Sequence, residues 1–267
     1  LAAELAAGGY KADITMVSPD TLVTTAQELA ADDGADLLIV WGGDGSCAAV
    51  LQALGANSVP VLILPGGTMN MLHRRVHGAA MAWDECLRQA LENGTKRPLA
   101  AGMAGDRMFF VMTILGNVAG LAEPREAIRA GDGGKALQQL SERPILDVAA
   151  RLSLHTEDKV ASDSPLNGVA SSLLIDPATE GVHGFDIVVL NPDTVGQLLA
   201  DGVQLAISAL IGTEGLPHHT AQSITVQHLD GEAIPATFDG EPVWLKEPTQ
   251  FDFKPDAVTV LACSDVP

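Results

Sequence analysis

The chain has 267 residues, enough to bury a sizeable core as two modest domains or one large one, and its 34 acidic against 15 basic residues give a net charge of −19, which repels a nucleic-acid backbone. The three cysteines, Cys47, Cys86 and Cys263, form no C-x-x-C pair, which argues against a zinc site or a disulfide framework and for reduced thiols in a cytoplasmic setting. No apolar run approaches the roughly 20 residues that span a bilayer, and the first residues lack the basic and apolar segments of a secretion signal, so any membrane contact is expected to be peripheral.

Leu1 to Gly9 reads as the end of a helix, with Leu1, Leu5 and the alanines as good helix formers and Gly8-Gly9 as its stop. Ile14-Thr15-Met16-Val17 reads as a short strand and Thr24 to Ala31 as a helix with Leu29 inward. Ala35 to Trp41 is an apolar strand that runs into Gly42-Gly43-Asp44-Gly45-Ser46. A helix follows, because Cys47, Val50, Leu51 and Leu54 recur at the i, i+3, i+4, i+7 spacing of one helix face. Val59 to Leu64 repeats the device, ending in Pro65-Gly66-Gly67-Thr68 and a helix from Met69 towards His77. Trp83, Cys86, Leu87, Ala90 and Leu91 mark another amphipathic helix, closed by Asn93-Gly94. This alternation predicts an α/β architecture with a doubly wound parallel sheet, where ligands sit at the carboxyl ends of strands, and both glycine turns lie at such ends.

Beyond residue 98 the rhythm changes. Met108 to Leu115, Ile145 to Leu154, Val169 to Ile175, Phe185 to Leu190, Ser223 to Leu229, Ala233 to Phe238, Val243 to Leu245, Phe251 to Phe253 and Val258 to Ala262 read as short strands. Pro124 to Leu140 and Thr194 to Ile211 read as helical, and Thr156 to Asn167 as loop. Many short strands punctuated by Gly, Pro and Asp predict a β-rich second domain, an antiparallel sandwich or barrel-like body.

Three glycines in four positions leave the first turn free to take positive φ and let an anion approach main-chain N–H groups. Ser46 is placed to cap the helix whose positive end faces the same way. Asp44 is the one side chain of that turn suited to a metal ion or an ordered water. Two Asp-Gly-Glu triplets follow late in the chain. Asp230-Gly231-Glu232 falls between two strand-like runs and is expected to be a two-residue hairpin turn. Asp239-Gly240-Glu241, if extended, projects Asp239 and Glu241 from one face as a carboxylate pair suited to proton abstraction or metal binding; otherwise it is a second hairpin turn. His218-His219 is expected to be a solvated loop pair, Cys47 and Cys86 core thiols, and Trp41 and Trp244 packing residues beside the two turns.

Gly42-Gly43-Asp44-Gly45-Ser46, Pro65-Gly66-Gly67-Thr68-Met69-Asn70, Gly134-Lys135, Gly184-Phe185-Asp186, Phe238-Asp239-Gly240-Glu241-Pro242 and Pro248-Thr249-Gln250-Phe251, taken in order, resemble the diacylglycerol kinase catalytic-domain family. That family also holds the sphingosine and ceramide kinases and bacterial soluble lipid kinases. The resemblance implies an α/β nucleotide-binding domain over residues 1–97 and a β-rich lipid-binding domain over 98–267, whose last residues can return to the first. It implies ATP-dependent phosphorylation of a hydroxyl on a lipid such as diacylglycerol or a sphingoid base. ATP would lie on Gly42, Gly43, Gly45, Ser46, Gly66, Gly67, Thr68 and Asn70, Asp44 would act in catalysis near Mg2+ or the transferred phosphoryl group and help hold the ion, and Asp239 with Glu241 would activate the hydroxyl. The implied partner is a lipid at a membrane surface met by a cytoplasmic, peripheral enzyme; no nucleic acid is implied, and a homodimer is compatible. Ser46 stands where threonine is commoner, and Arg97-Pro98-Leu99-Ala100 where the family often carries an aspartate. The sequence begins after the strand and Asn-Pro-x-x-Gly element that usually open the family. The alternatives are an NAD kinase-like enzyme, which shares Gly-Gly-Asp-Gly, and a non-catalytic nucleotide- or lipid-binding homologue.

Overall fold

Val61-Leu62-Ile63-Leu64 is apolar at every position rather than at every second one, the pattern of a strand covered on both faces, and all four side chains are buried. In the computed structural model, which describes residues 1–32, 34–56, 59–116, 151–156, 168–170, 172–177, 183–190, 218–246 and 248–263, this run is the strand β2 (Val61–Pro65). It pairs in parallel with β1 (Leu38–Gly42), from Leu38↔Val61 to Gly42↔Pro65. The helices are α1 (Ala2–Ala7), α2 (Pro19–Ala30), α3 (Asp44–Leu54), α4 (Met71–His77) and α5 (Trp83–Asn93). Helix α2 starts earlier than expected because Pro19 takes the first helical position, where its missing N–H costs nothing. The predicted helices in 124–140 and 194–211 lie outside the described residues, as does nearly all of the predicted loop at 156–167.

The chain divides into two compact units, Leu1–Ala100 with Pro255–Pro267, and Ala101–Lys254. In the first, Leu62 and Leu64 pack with Cys86, Leu87 and Ala90 of α5, Leu5 of α1, and Leu261 and Cys263 from the end of the chain. The expected strand Ile14–Val17 is not one: its residues are exposed, Met16 at 98%, and with no ladder to join, an extended run gains nothing from its apolar side chains. Conversely, β3 (Thr95–Ala104) escapes a reading of apolar runs because Lys96-Arg97-Pro98 looks like a break. The Arg97 guanidinium donates to the carbonyls of Arg75 and Val76, at 3.1 and 2.6 Å, closing the last turn of α4 with a cation at its negative end.

The second unit is a sandwich of two antiparallel layers. One runs β10-β9-β8-β5-β12-β13, that is His218–Ala221, Phe185–Leu190, Ser172–Asp176, Thr113–Gly116, Ile234–Phe238 and Glu241–Leu245. In the other, the first residues of β14 (Thr249–Ala262) pair with β11 (Ser223–His228), β11 with β6 (Leu152–His155) and β6 with β7 (Gly168–Ala170). The short strand β4 (Arg107–Phe109) pairs back on β3 and delivers Phe109 to the middle of the core, 5.3 Å from Phe238, 6.1 Å from Phe185 and 6.3 Å from Phe251 between ring centroids. Two expected strands, Phe251–Phe253 and Val258–Ala262, are one: β14 passes through the exposed Pro255 without stopping, and Val260 pairs in parallel with Val61. His218 and His219 lie on a strand rather than a loop, and the His218 ring nitrogen Nδ1 sits 2.8 Å from the Asp186 carboxylate on β9. Trp244 is 72% exposed on the edge strand β13, so it does not pack as expected.

Gly102 faces the Phe109 ring so closely that an added Cβ would lie 2.0 Å from it. Gly102→Ala is therefore expected to destabilise the protein by about 1–3 kcal/mol, the usual cost of overpacking, read as a fall in its urea midpoint.

Candidate functional site

Because β1 and β2 are parallel neighbours, their carboxyl ends reach the same edge and the two glycine turns emerge side by side. They are fused backbone to backbone. The Gly66 N–H donates to the Gly42 carbonyl at 2.9 Å; a Cβ on Gly66 would lie 2.9 Å from the Gly42 Cα, and one on Gly67 2.8 Å from the Gly43 Cα. The Trp41 indole N–H donates to the Pro65 carbonyl at 2.9 Å, and its ring lies on Trp83 with centroids 4.8 Å apart.

The glycines serve closeness, not handedness. None of Gly42, Gly43, Gly45, Gly66 and Gly67 has positive φ, contrary to expectation; Gly43 sits at φ −79° and ψ 171°. The left-handed residue is Asn70, at φ 49° and ψ 43°, and its amide closes the second turn by accepting from the Gly67 N–H at 2.8 Å and donating to the Gly67 carbonyl at 2.9 Å. Asn70 thus shapes the turn, whose outer residues Gly66, Gly67 and Thr68 are exposed. Ser46 does not cap α3. The helix starts at Asp44 with Gly43 as its N-cap, so Ser46 is the third helical residue, exposed with Gly45 on the first turn, whose N–H groups have no intrahelical acceptor.

Asp44, half-buried as the first residue of α3, reaches to α4: its Oδ1 accepts from the Leu72 N–H at 2.9 Å. Helix α4 has no side-chain cap of its own, and this carboxylate supplies an acceptor and a negative charge at its positive end. Cys47 lies beneath the turn with its thiol directed at the Gly42 carbonyl. Burial, aided by the Asp44 charge, pushes that thiol up to about 12, the behaviour of a core residue. At Leu99, in the stretch where the resemblance leads one to expect an aspartate, the side chain is buried at 5% exposure and offers no polar atom.

Of the two Asp-Gly-Glu triplets it is the second that forms a hairpin, the alternative left open for it, and the first, expected to be one, does not. Asp239-Gly240 is a two-residue hairpin turn, with Phe238 paired to Glu241 across it and φ of 51° and 90°, the positive pair that Asp-Gly accommodates in a tight hairpin. Asp239 is therefore not extended, and Asp239 and Glu241 do not share a strand face by alternation. Asp230-Gly231 joins β11 to β12, which belong to different layers and do not pair, so it is no hairpin. The Asp239 carboxylate is gripped by three backbone N–H groups, from Phe110 and Val111 at 2.7 Å and Met112 at 3.0 Å, while its own N–H donates to the Met112 carbonyl. That nest is made of main chain, which no side-chain pattern announces. Glu241 beside it is exposed.

Residues 1–104 match the diacylglycerol kinase catalytic domain. Among solved structures, a diacylglycerol kinase from Bacillus anthracis str. Sterne is 18% identical with a TM-score of 0.69, over 100% of this chain and 91% of that one. Two further structures from the same organism are each 20% identical with a TM-score of 0.70, and cover 91% and 90% of their own chains. At such identities the likeness is one of fold. No described helix is long and apolar enough to cross a membrane.

Replacing Asp239 by Asn sets an amide N–H₂ against N–H donors, so Asp239→Asn is expected to cost about 1–3 kcal/mol of stability. Asp230→Asn, an exposed position 3.7 Å from an exposed Arg151, should change it by less than about 0.5 kcal/mol. Urea unfolding of the two variants side by side checks the pair.

Proposed function

On the premise that residues 1–104 belong to the diacylglycerol kinase catalytic-domain family, we propose that the protein is an ATP-dependent lipid kinase that phosphorylates a hydroxyl of a lipid such as diacylglycerol or a sphingoid base. The observation that carries the reading is the fused pair of glycine turns at the carboxyl ends of β1 and β2, beside the exposed first turn of α3. Main-chain N–H groups at a helix N-terminus, reachable because no Cβ stands over them, suit a polyphosphate. Gly42, Gly43, Gly45 and Ser46 would hold the phosphates from one side and Gly66, Gly67 and Thr68 from the other, with Asn70 keeping the second turn in shape.

A carboxylate is the hard oxygen donor that Mg2+ accepts alongside substrate phosphates and water, and Asp44 is the one acidic side chain of the two turns, so the donor chemistry fits. Asp44 would hold the ion with the carboxylate that also accepts from the Leu72 N–H. When bound, Mg2+ offsets the charge that develops on the transferred phosphoryl group. The acceptor oxygen forms its bond to the terminal phosphorus as the bond to the ADP oxygen breaks, and its proton passes to a carboxylate. Asp239 and Glu241 are proposed for that task. With Asp239 already holding three N–H groups, the exposed Glu241 is proposed to take the proton and Asp239 to keep the hairpin tip in shape. The lipid would be met at a membrane surface by peripheral contact.

The apolar side chain at Leu99 favours a second reading, a homologue that binds nucleotide or lipid without turnover. Phosphoryl transfer from ATP, assayed against a panel of lipids and against NAD, separates the readings. Transfer to a lipid supports the proposal, transfer to NAD overturns it, and ATP binding without transfer favours the second reading.

A Cβ on Gly43 meets only the Gly67 Cα, at an ordinary 3.5 Å, so Gly43→Ala should fold normally yet weaken ATP binding by obstructing the phosphates. Fluorescent-nucleotide titration beside circular dichroism measures both. Glu241→Gln, at an exposed site, should leave stability and ATP affinity unchanged while lowering turnover by about 10²- to 10⁴-fold, the range for a positioned acid–base group.

A further inference from the structure

Away from the glycine turns, the first unit contains a cluster that the kinase reading does not use. Helix α4 presents His73 and His77 one turn apart, helix α5 presents Cys86, and all three are buried, at 2%, 3% and 0% exposure. One ligand atom from each lies within 4.8 Å of the others. They crowd a single acceptor: the Ile63 carbonyl of β2 is 3.1 Å from His73 Nδ1, 3.0 Å from His77 Nε2 and 3.9 Å from the Cys86 sulfur. A carbonyl oxygen has two lone pairs, so hydrogen bonding leaves this arrangement over-subscribed. A second observation points the same way. With Nδ1–H of His73 donated to Ile63, its Nε2 is a bare lone pair, buried and without a hydrogen-bond partner. Leaving such an atom unpaired is costly, and a metal is one of the few partners that a dry, apolar core can admit to it.

We propose that His73, His77 and Cys86 form a buried site for one divalent cation of the zinc class, held by an imidazole nitrogen of each histidine and by the Cys86 sulfur. The donor set selects the class: nitrogen and thiolate ligands suit zinc and its borderline neighbours, whereas magnesium and calcium take oxygens. One ligand atom of each residue already lies within 4.8 Å of the others, against about 3.3–3.6 Å between the ligands of a tetrahedral zinc, so the cluster must contract and the His73 ring settle its Nε2 toward the ion on binding. The surroundings are those of a ligand shell. The bond from His73 Nδ1–H to the Ile63 carbonyl is the outer bond that orients a metal-bound imidazole and leaves Nε2 for the cation. His77 binds through Nε2 by moving its proton to Nδ1, which gives up both the 3.0 Å bond to the Ile63 carbonyl and the long 3.3 Å bond from the Cys263 N–H. Binding releases one proton to solvent, that of the Cys86 thiol. Cys263 and Met81 border the site with their sulfurs 3.9 Å apart, keeping the neighbourhood soft and dry.

The test is a Co2+ titration of the full chain after chelator treatment, followed by displacement with Zn2+. The proposal expects one equivalent of cobalt with a sulfur-to-cobalt charge-transfer band and tetrahedral-type visible bands, all abolished by zinc. Cys86→Ser should remove the charge-transfer band, and His73→Gln should keep it while weakening zinc by more than the 10- to 100-fold that losing an outer partner costs. Cys47→Ser, a buried thiol outside the cluster, should behave as the parent. Absence of the band in the parent protein, its persistence in folded Cys86→Ser, or unchanged zinc affinity in His73→Gln would each overturn the proposal. If Cys86→Ser fails to fold, the parent spectrum and His73→Gln decide the matter alone.

Discussion

The contact of Gly66 on Gly42 and of Gly67 on Gly43 is the constraint on which the first unit depends. Two adjacent parallel strands end together, and the turns that leave them can coexist only because the second carries no Cβ at Gly66 and Gly67, where it meets the backbone of the first. Once the turns are locked, the start of α3 and the start of α4 are fixed relative to each other, and a single carboxylate can bridge them. A ligand approaching that edge meets main chain held in place from both sides, which is what preorganised recognition of an anion requires. The same tightness explains why the conformational freedom of glycine goes unused there: strands in ordinary φ and ψ suffice, and what is scarce is room.

Asp44 and Asp239 share a physical theme. Each spends carboxylate oxygen on backbone N–H groups that would otherwise be unsatisfied, Asp44 at the first turn of α4 and Asp239 at residues 110–112. Both residues also stand out on chemical grounds. A loss of turnover after mutating either one is consequently not evidence of chemistry by itself, since removing the acceptor disturbs the element it holds. Glu241 and Gly43, whose side-chain positions carry no such duty, are cleaner reporters.

Much was legible from the residue pattern, for identifiable reasons. The continuous apolar run Val61–Leu64 folds as read because burial on both faces leaves one solution, the run Leu38–Trp41 because it pairs beside it, and the spacing of Cys47, Val50, Leu51 and Leu54 because it makes one helix face. The sandwich follows from the many short runs punctuated by Gly, Pro and Asp. What misled was local chemistry whose outcome depends on partners. Asp-Gly favours a hairpin wherever it occurs, but only the strands flanking Asp239-Gly240 pair, so pairing rather than propensity chose between the two triplets. Thr95–Ala104 hides behind Arg97-Pro98, whose arginine is drawn to the carbonyls ending α4. The scattered cysteines, with no C-x-x-C pair, argue against a zinc site in the sequence, and their spacing alone gives no pointer to the cluster proposed above. The i, i+4 repeat of His73 and His77 was the signal available, and it gains meaning only when α5 brings Cys86 beside it.

The strand β14 has a consequence for the order in which the protein comes into being. Its last residues complete the first unit: Val260 extends the parallel sheet beside Val61, and Leu261 and Cys263 fill the core around Leu62 and Leu64. A ribosome therefore releases residues 1–100 long before the strand that finishes their sheet exists, while the whole of Ala101–Lys254 is already available to fold. Vectorial synthesis usually favours the leading unit; here the leading unit must wait, with the flank of β2 open, until the inserted one has emerged. Nascent chains arrested before residue 255 should be the species that chaperones hold.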